Sequence, residues 1–214
     1  AIYSAYGVNF YAEEGKPLGA FYAPAPARTA DGQIIADPST GYYTYDGTEE
    51  YAGSSQRDFI MGLKNSFKYK NFRLSMSMDW KQGGKMYSYT KRLSYFVGNA
   101  IETTYNNRNP WIIPNSVVPD GSGGYVENTT PVSYANVTGF YNVSNNPAIE
   151  KDHVIDKTFI RLRDVSLSYR LPSKIIESLG LTDLSFAIYG KNLFLWTPSG
   201  NSYVDPETTS YGRG

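Results

Sequence analysis

The chain has 214 residues, a formal net charge of zero and no cysteine. Neutrality leaves no basic footprint for nucleic acid, and without cysteine there is no disulfide framework, thiol nucleophile or Cys-ligated zinc site. Length alone fits one domain, and no run approaches the roughly 18 apolar residues of a membrane helix. In chain order, Ile2–Tyr11 (IYSAYGVNFY) predicts a strand from its aromatic and β-branched content. It lacks the basic start and continuous apolar stretch of a signal peptide. Glu13–Pro17 reads as a turn and Leu18–Ala23 as a second strand, stopped by Pro24 and Pro26. From Ala25 to Arg57 the composition shifts to Gly, Pro, Asp, Ser and Thr, which predicts a long loop with one internal hairpin.

The next segment is cleaner. Phe59, Met61, Leu63, Phe67 and Tyr69 share one face of a predicted strand, with Lys64, Ser66 and Lys68 on the other. After a tight turn at Lys70-Asn71, the apolar row Phe72, Leu74, Met76, Met78 and Trp80 alternates with Arg73, Ser75, Ser77, Asp79 and Lys81. That unbroken period of two predicts a strand with one wholly apolar and one wholly polar face. Gln82-Gly83-Gly84 ends it, and a long irregular region rich in Asn, Pro and Gly runs to about Ile155; Lys85–Thr104 has room for a helical segment, but its periodicity is poor. Two further alternating strands, Thr158–Leu171 and Leu184–Trp196, flank a short helical connector over Pro172–Asp183, and a polar tail closes the chain.

Connections between these six predicted strands alternate strictly between short and long. If neighbouring strands are antiparallel, the short turns gather at one end of the sheet and the long loops at the other. That asymmetry is the habit of outer-membrane barrels, and strands of about 10 residues suffice to cross the apolar band when tilted. Aromatic residues make up 15 %, with 20 Tyr; rings with polar tips suit half-wet surfaces. A mean hydropathy of −0.43 does not oppose a barrel, because lumen-facing positions dilute the signal. Alternation alone leaves two architectures open: the apolar faces meet lipid in a barrel, or a second sheet in a soluble sandwich.

Four patches carry a resemblance. Ile160-Arg161-Leu162-Arg163-Asp164-Val165-Ser166-Leu167-Ser168-Tyr169 with Leu171-Pro172, and Tyr189-Gly190-Lys191-Asn192-Leu193-Phe194 with Trp196-Thr197, resemble the closing strands of SusC/RagA-type TonB-dependent outer-membrane transporters. Upstream, Glu14–Tyr22 (EGKPLGAFY) and Phe67–Ser75 (FKYKNFRLS) resemble two earlier stretches of the same family, in the same order. The resemblance implies an all-β fold, namely an antiparallel transmembrane barrel fragment. It would supply about six strands of a barrel of about 22, with long extracellular loops. It implies TonB-driven import of oligosaccharides or peptides, with a SusD-like surface lipoprotein, TonB, the remaining barrel and plug segments, and the lipid bilayer as partners. On this reading residues 1–214 are the C-terminal part of such a transporter, without plug, early strands or last strand. Six strands cannot close even the smallest membrane barrel, of about 8 strands, so the rest of the wall must come from elsewhere.

Site expectations follow. Tyr69, Trp80, Tyr169 and Trp196 are expected at the membrane interfaces, and Lys64, Lys68, Arg73, Asp79 and Lys81 along the lumen. Tyr105, Trp111, Tyr125, Tyr134, Phe140 and Tyr141 in the long loop are candidates for substrate or lid contact, since aromatic platforms stack on sugar rings; the competing reading packs them against the loop itself. A period-two count sets Arg161 and Arg163 on the apolar face with Val165, Leu167 and Tyr169, which requires both at headgroup level or beyond it.

Chemistry is weakly signalled. His153, the single histidine, lies between Asp152 and Asp156 in loop sequence, and no G-x-S-x-G elbow accompanies it. Asp31-Gly32 and Asp37 lack calcium-loop spacing and read as turn residues. No enzyme activity, cofactor or metal site is expected. The rival classes are a soluble β-rich glycan-binding or adhesin module, which requires two stacked sheets, and a small outer-membrane barrel enzyme, which lacks a Ser-His pair on strands.

Overall fold

The computed structural model describes residues 3–5, 7–133, 137–178, 180–201 and 203–207. The strands in chain order are β1 (Tyr3–Ala5), β2 (Val8–Tyr11), β3 (Ala20–Pro24), β4 (Ile34–Ile35), β5 (Glu49–Ser54), β6 (Phe59–Tyr69), β7 (Phe72–Gln82) and β8 (Lys85–Tyr87). Helix α1 (Tyr89–Phe96) follows, then β9 (Ser116–Pro119), β10 (Tyr125–Glu127), α2 (Val137–Phe140) and β11 (Val154–Asp156). The chain ends with β12 (Phe159–Arg170), α3 (Ser173–Ser178) and β13 (Ser185–Trp196). These elements divide into two compact units: Arg57–Gly84 with Lys157–Ser202, and Ala1–Gln56 with Lys85–Asp156 and Tyr203–Gly214.

The first unit is one long antiparallel sheet in the order β13-β12-β7-β6. Its register carries the alternation across every strand. Met61↔Trp80, Leu63↔Met78, Phe67↔Leu74 and Tyr69↔Phe72 pair on one face, extended by Ile160, Leu162, Val165, Leu167 and Tyr169 of β12 opposite β7. Phe186, Ile188, Phe194 and Trp196 continue the apolar face on β13. The other face pairs Lys64↔Ser77, Ser66↔Ser75 and Lys68↔Arg73, with Asp164, Ser166 and Ser168 alongside. Among the described residues nothing covers the apolar face: Phe67 is 52 % exposed and Ile188 78 %. A continuous bare patch of this kind is far beyond what a soluble monomer tolerates. The sandwich alternative needs a second sheet packed there, and this unit has none among the described residues.

Both short connections lie at one end, where Tyr69, Phe72, Tyr169 and Phe186 align in neighbouring positions. At the opposite end Gly83 N–H donates to Thr158 Oγ1 (2.8 Å) and Lys157 N–H to Gly84 O (3.0 Å), closing the stem from which the long excursion leaves. The expected clustering of short and long connections thus holds within this sheet.

One residue in β12 overturns the period-two count. Pairing to β7 steps from Leu162↔Met78 to Asp164↔Ser77, so Arg163 is an extra residue bulged out of the ladder. A bulge flips the alternation of everything beyond it. Arg161, opposite Asp79, therefore stands on the polar face and not with Val165 and Leu167. Arg163 turns the same way: its Nε donates to Asp79 Oδ2 at 2.7 Å. The bulge thus keeps two guanidinium groups off the apolar face.

The second unit holds three small sheets, ordered β1-β2-β3-β5, β10-β9-β4 and β11-β8. The single strand expected over Ile2–Tyr11 is instead the hairpin β1-β2, with Ala5↔Val8 next to the turn. Gly7 there takes φ of +87°, a value that breaks a straight strand. The predicted loop Ala25–Arg57 contains tight returns at Arg28↔Ile34 and Ala36↔Tyr43, and also β5, which pairs with β3. Gly32 N–H donates to Thr29 O, and the Asp37 carboxylate accepts from the backbone N–H of Ser39 and Thr40, so both stretches form turns.

Within Lys85–Thr104, where periodicity is poor, the chain forms α1, whose first turn is capped by Ser88 Oγ accepting from Lys91 N–H (3.1 Å). The long region is far from structureless. Its core is Tyr42, Tyr95, Ala100, Ile113, Val132, Phe140, Tyr141 and Ile149. Phe140 meets Tyr42, Tyr43, Trp111 and Tyr141 with ring centroids 5.9, 5.4, 4.9 and 5.1 Å away. The high aromatic content is used here: edge-to-face rings replace the aliphatic packing that a Gly-, Asn- and Pro-rich stretch cannot supply.

Candidate functional site

The polar face of the long sheet is a connected network. Asp164 accepts from Ser77 Oγ (2.9 Å) and Tyr189 Oη (2.7 Å), while Ser66 and Ser75 hydroxyls meet at 3.1 Å. Towards the long-loop end, Phe159 is fully buried. The cationic heads of Lys81, Arg57, Arg161 and Arg163 stand 5.3, 5.4, 5.5 and 6.0 Å from its ring centroid. The ring quadrupole helps hold these like charges together. Of the lumen candidates, Lys64, Lys68, Arg73, Asp79 and Lys81 all stand on this polar face. Asp164, Tyr189, Arg161 and Arg163 belong to the same face and were missed. The bulge hid the arginines, and the positional signal for the others was only their place in the resembling motifs.

Tyr69, Trp80, Tyr169 and Trp196 all stand on the apolar face, two at each end. Phe72 and Phe186 complete the first end, with the Phe72 and Tyr169 rings 4.5 Å apart. Phe59 joins Trp80 at the other, 5.0 Å away. Phe72 and Trp80, at the two aromatic ends of β7, stand about 26 Å apart along the strand at about 3.3 Å per residue.

The long-loop aromatics separate by burial. Phe140 and Tyr141 are core residues, 4 % and 8 % exposed, and Tyr141 Oη donates to Glu102 O at 2.8 Å. Trp111 is half-buried against Phe140 and Tyr105. Tyr105 and Tyr125 present 54 % and 48 % of their surface. Tyr134 lies outside the described residues. The structure therefore leaves Tyr105 and Tyr125, from different elements, as the open platforms of the set.

His153 is no acid–base candidate. It is fully buried, its ring meets Tyr95 edge-on at 4.9 Å, and neither nitrogen has a hydrogen-bond partner among the described residues. Burial, aided by the Lys91 and Arg92 charges, pushes its pKa down to about 3. Nearby Glu150, 1 % exposed, accepts from Tyr87 Oη and faces Arg92 Nε at 3.4 Å. Burial outweighs these two partners and raises its pKa to about 7.

The signs oppose. Neutral His153 contributes stability that is complete above pH 6.5 and is lost as pH falls towards about 3. Glu150 contributes stability that is complete below pH 4.5 and is lost as pH rises through about 7. Hydrogen exchange of the segments around Tyr87 and Glu150 in the full-length protein, corrected for the intrinsic pH dependence of exchange, is therefore expected to show greatest protection at mildly acid pH. Glu150→Gln should abolish the loss of protection on the alkaline side and leave the acid side unchanged.

No protein-family profile matches the sequence. Among curated proteins, two TonB-dependent receptors of Formosa agariphila align with it, one 28 % identical over 163 residues, or 75 % of this chain. The other is 26 % identical over 179 residues, or 84 % of the chain. Over three quarters or more of its length the chain is therefore similar to TonB-dependent receptors. It spans 14 % of the length of each of these two relatives.

Solved structures share the fold of this chain. The RagAB peptide importer in its open-open state superposes with a TM-score of 0.56 at 17 % identity, over 97 % of this chain and 22 % of that one. Its closed-closed state gives 0.55 at 17 % identity, over 97 % of this chain and 23 % of that one. At this identity the likeness speaks for architecture and leaves substrate and side-chain roles to be argued from the residues.

Proposed function

We propose that this chain supplies wall strands and extracellular loops to an outer-membrane importer that takes up oligosaccharides or peptides with energy delivered through TonB. The observation that supports this most is the long sheet, with a bare apolar face bounded by aromatic ends and a hydrogen-bonded polar face. On this reading the apolar face meets lipid, and Lys64, Lys68, Arg73, Asp79 and Lys81 line the lumen. The excursion between β7 and β12 stands at the extracellular side. Tyr105 and Tyr125 offer ring faces to substrate or to a SusD-like surface lipoprotein. Plug, TonB-contacting segment and remaining strands come from the rest of the protein. The chain performs no bond chemistry in this scheme; its fully buried histidine and the receptor and importer names of its relatives both favour transport.

The test is uptake of labelled oligosaccharides and peptides by cells producing the full-length protein, with and without TonB. TonB-dependent uptake of one class is expected, and absence of such uptake for both would overturn the proposal. Tyr105→Ala with Tyr125→Ala is expected to weaken substrate or lipoprotein binding about tenfold, as loss of two exposed aromatic contacts does. The amount of folded protein in the outer membrane should not change.

A further inference from the structure

The short-turn end of the long sheet carries an unbalanced charge. Lys68 and Arg73 are direct cross-strand partners on the polar face, and Ser168 of β12 flanks Arg73. Like charges directly opposite each other destabilise an antiparallel pair. With Lys70 and Arg170 they line a trough of about 390 Å³ whose single acidic residue is Asp183. Asp183 is engaged, since it accepts from Arg170 Nε at 2.8 Å. Among the described residues, Lys68, Lys70 and Arg73 form no ion pair. Lys70 also sits at φ of +50° in the turn, a conformation that Gly or Asn takes at lower cost. The paired cations and the strained turn both cost stability, and both place positive charge at one spot.

We propose that this trough binds a carboxylate-rich polypeptide segment. The cations are spread across adjacent strands, about 4.8 Å apart per strand, and over the turn. That layout matches successive acidic side chains of an extended peptide better than one compact anion. A lipid headgroup fits less well. Apart from the Phe72 ring the trough is lined by polar and charged side chains, while Phe67 and Tyr69, which would accompany acyl chains, stand on the opposite face of the sheet. This inference goes beyond the import reading and does not depend on it, because binding is read without transport.

The probe is a fluorescent hexaglutamate peptide added to the full-length protein in detergent, followed by anisotropy. Binding is expected at about 50 mM salt and its loss at about 500 mM, as screening removes exposed charge attraction. Lys68→Gln with Arg73→Gln should weaken it at least about tenfold, since each cation loses its share of the charge complementarity. The charge-preserving pair Lys68→Arg with Arg73→Lys should retain it, which separates charge from misfolding. The proposal fails if the peptide does not bind at low salt, or if the neutralised variant binds equally. It also fails if inorganic phosphate at equal charge concentration displaces the peptide fully, or if vesicles containing phosphatidylglycerol compete better than unlabelled peptide.

Discussion

Met76→Arg in the full-length protein is expected to cost about 2–4 kcal/mol of folded stability in a bilayer. Met76 lies on the bare apolar face, opposite Asn65 and Val165, midway along β7 between the aromatic ends at Phe72 and Trp80. If the apolar face meets lipid as proposed, an arginine there sits at the bilayer centre, with the longest path to either interface. Ala187→Arg is the control. Ala187 pairs with Ser168 on the polar face, where a cation meets water, and its cost should stay within about 0.5 kcal/mol. Denaturant titration of protein refolded into vesicles measures both. Equal costs for the two variants would mean that the apolar face does not meet lipid, and the soluble-module reading would regain its footing.

A second large effect is expected from Phe140→Ala, at about 3–5 kcal/mol. Phe140 is 4 % exposed, and its ring meets those of Tyr42, Tyr43, Trp111 and Tyr141. Its removal takes the central ring from the loop-unit core, and the neighbours come from separate stretches that collapse poorly. The expected readout is rapid proteolysis within the excursion between β7 and β12, with the long sheet still folded, because Phe140 belongs to the other unit. Tyr125→Ala should leave proteolysis unchanged, its ring being 48 % exposed. A Phe140→Ala protein as resistant as the parent would show that other contacts hold the excursion.

Much of the long sheet was legible in the chain because its determinant is local. Side chains alternate with a period of two in any strand, so Phe72–Lys81 announces two faces of opposite chemistry without knowledge of its neighbours. The turn at Lys70-Asn71 and the helical connector before β13 are equally local. The excursion was less legible. The Gly-, Pro- and Asn-rich text signals turns, yet β5 pairs with β3 and β4 with β9 only because partners elsewhere in the sequence supply the hydrogen bonds. Candidate aromatics could be named from composition, whereas their division into core and surface depends on packing.

What the sequence by itself determined is the amphipathic period, the alternation of short and long connections, and the motifs shared with SusC/RagA-type receptors. Tertiary structure alone decided three things. It set Phe140 inside and Tyr105 outside. It buried the His153 ring with neither nitrogen meeting a hydrogen-bonding partner among the described residues. It also moved Arg161 to the polar face through one unpaired residue at Arg163. The physical reason is common to all three: period and turn chemistry act within a few residues, while burial and register are settled by which strands and rings meet across the fold.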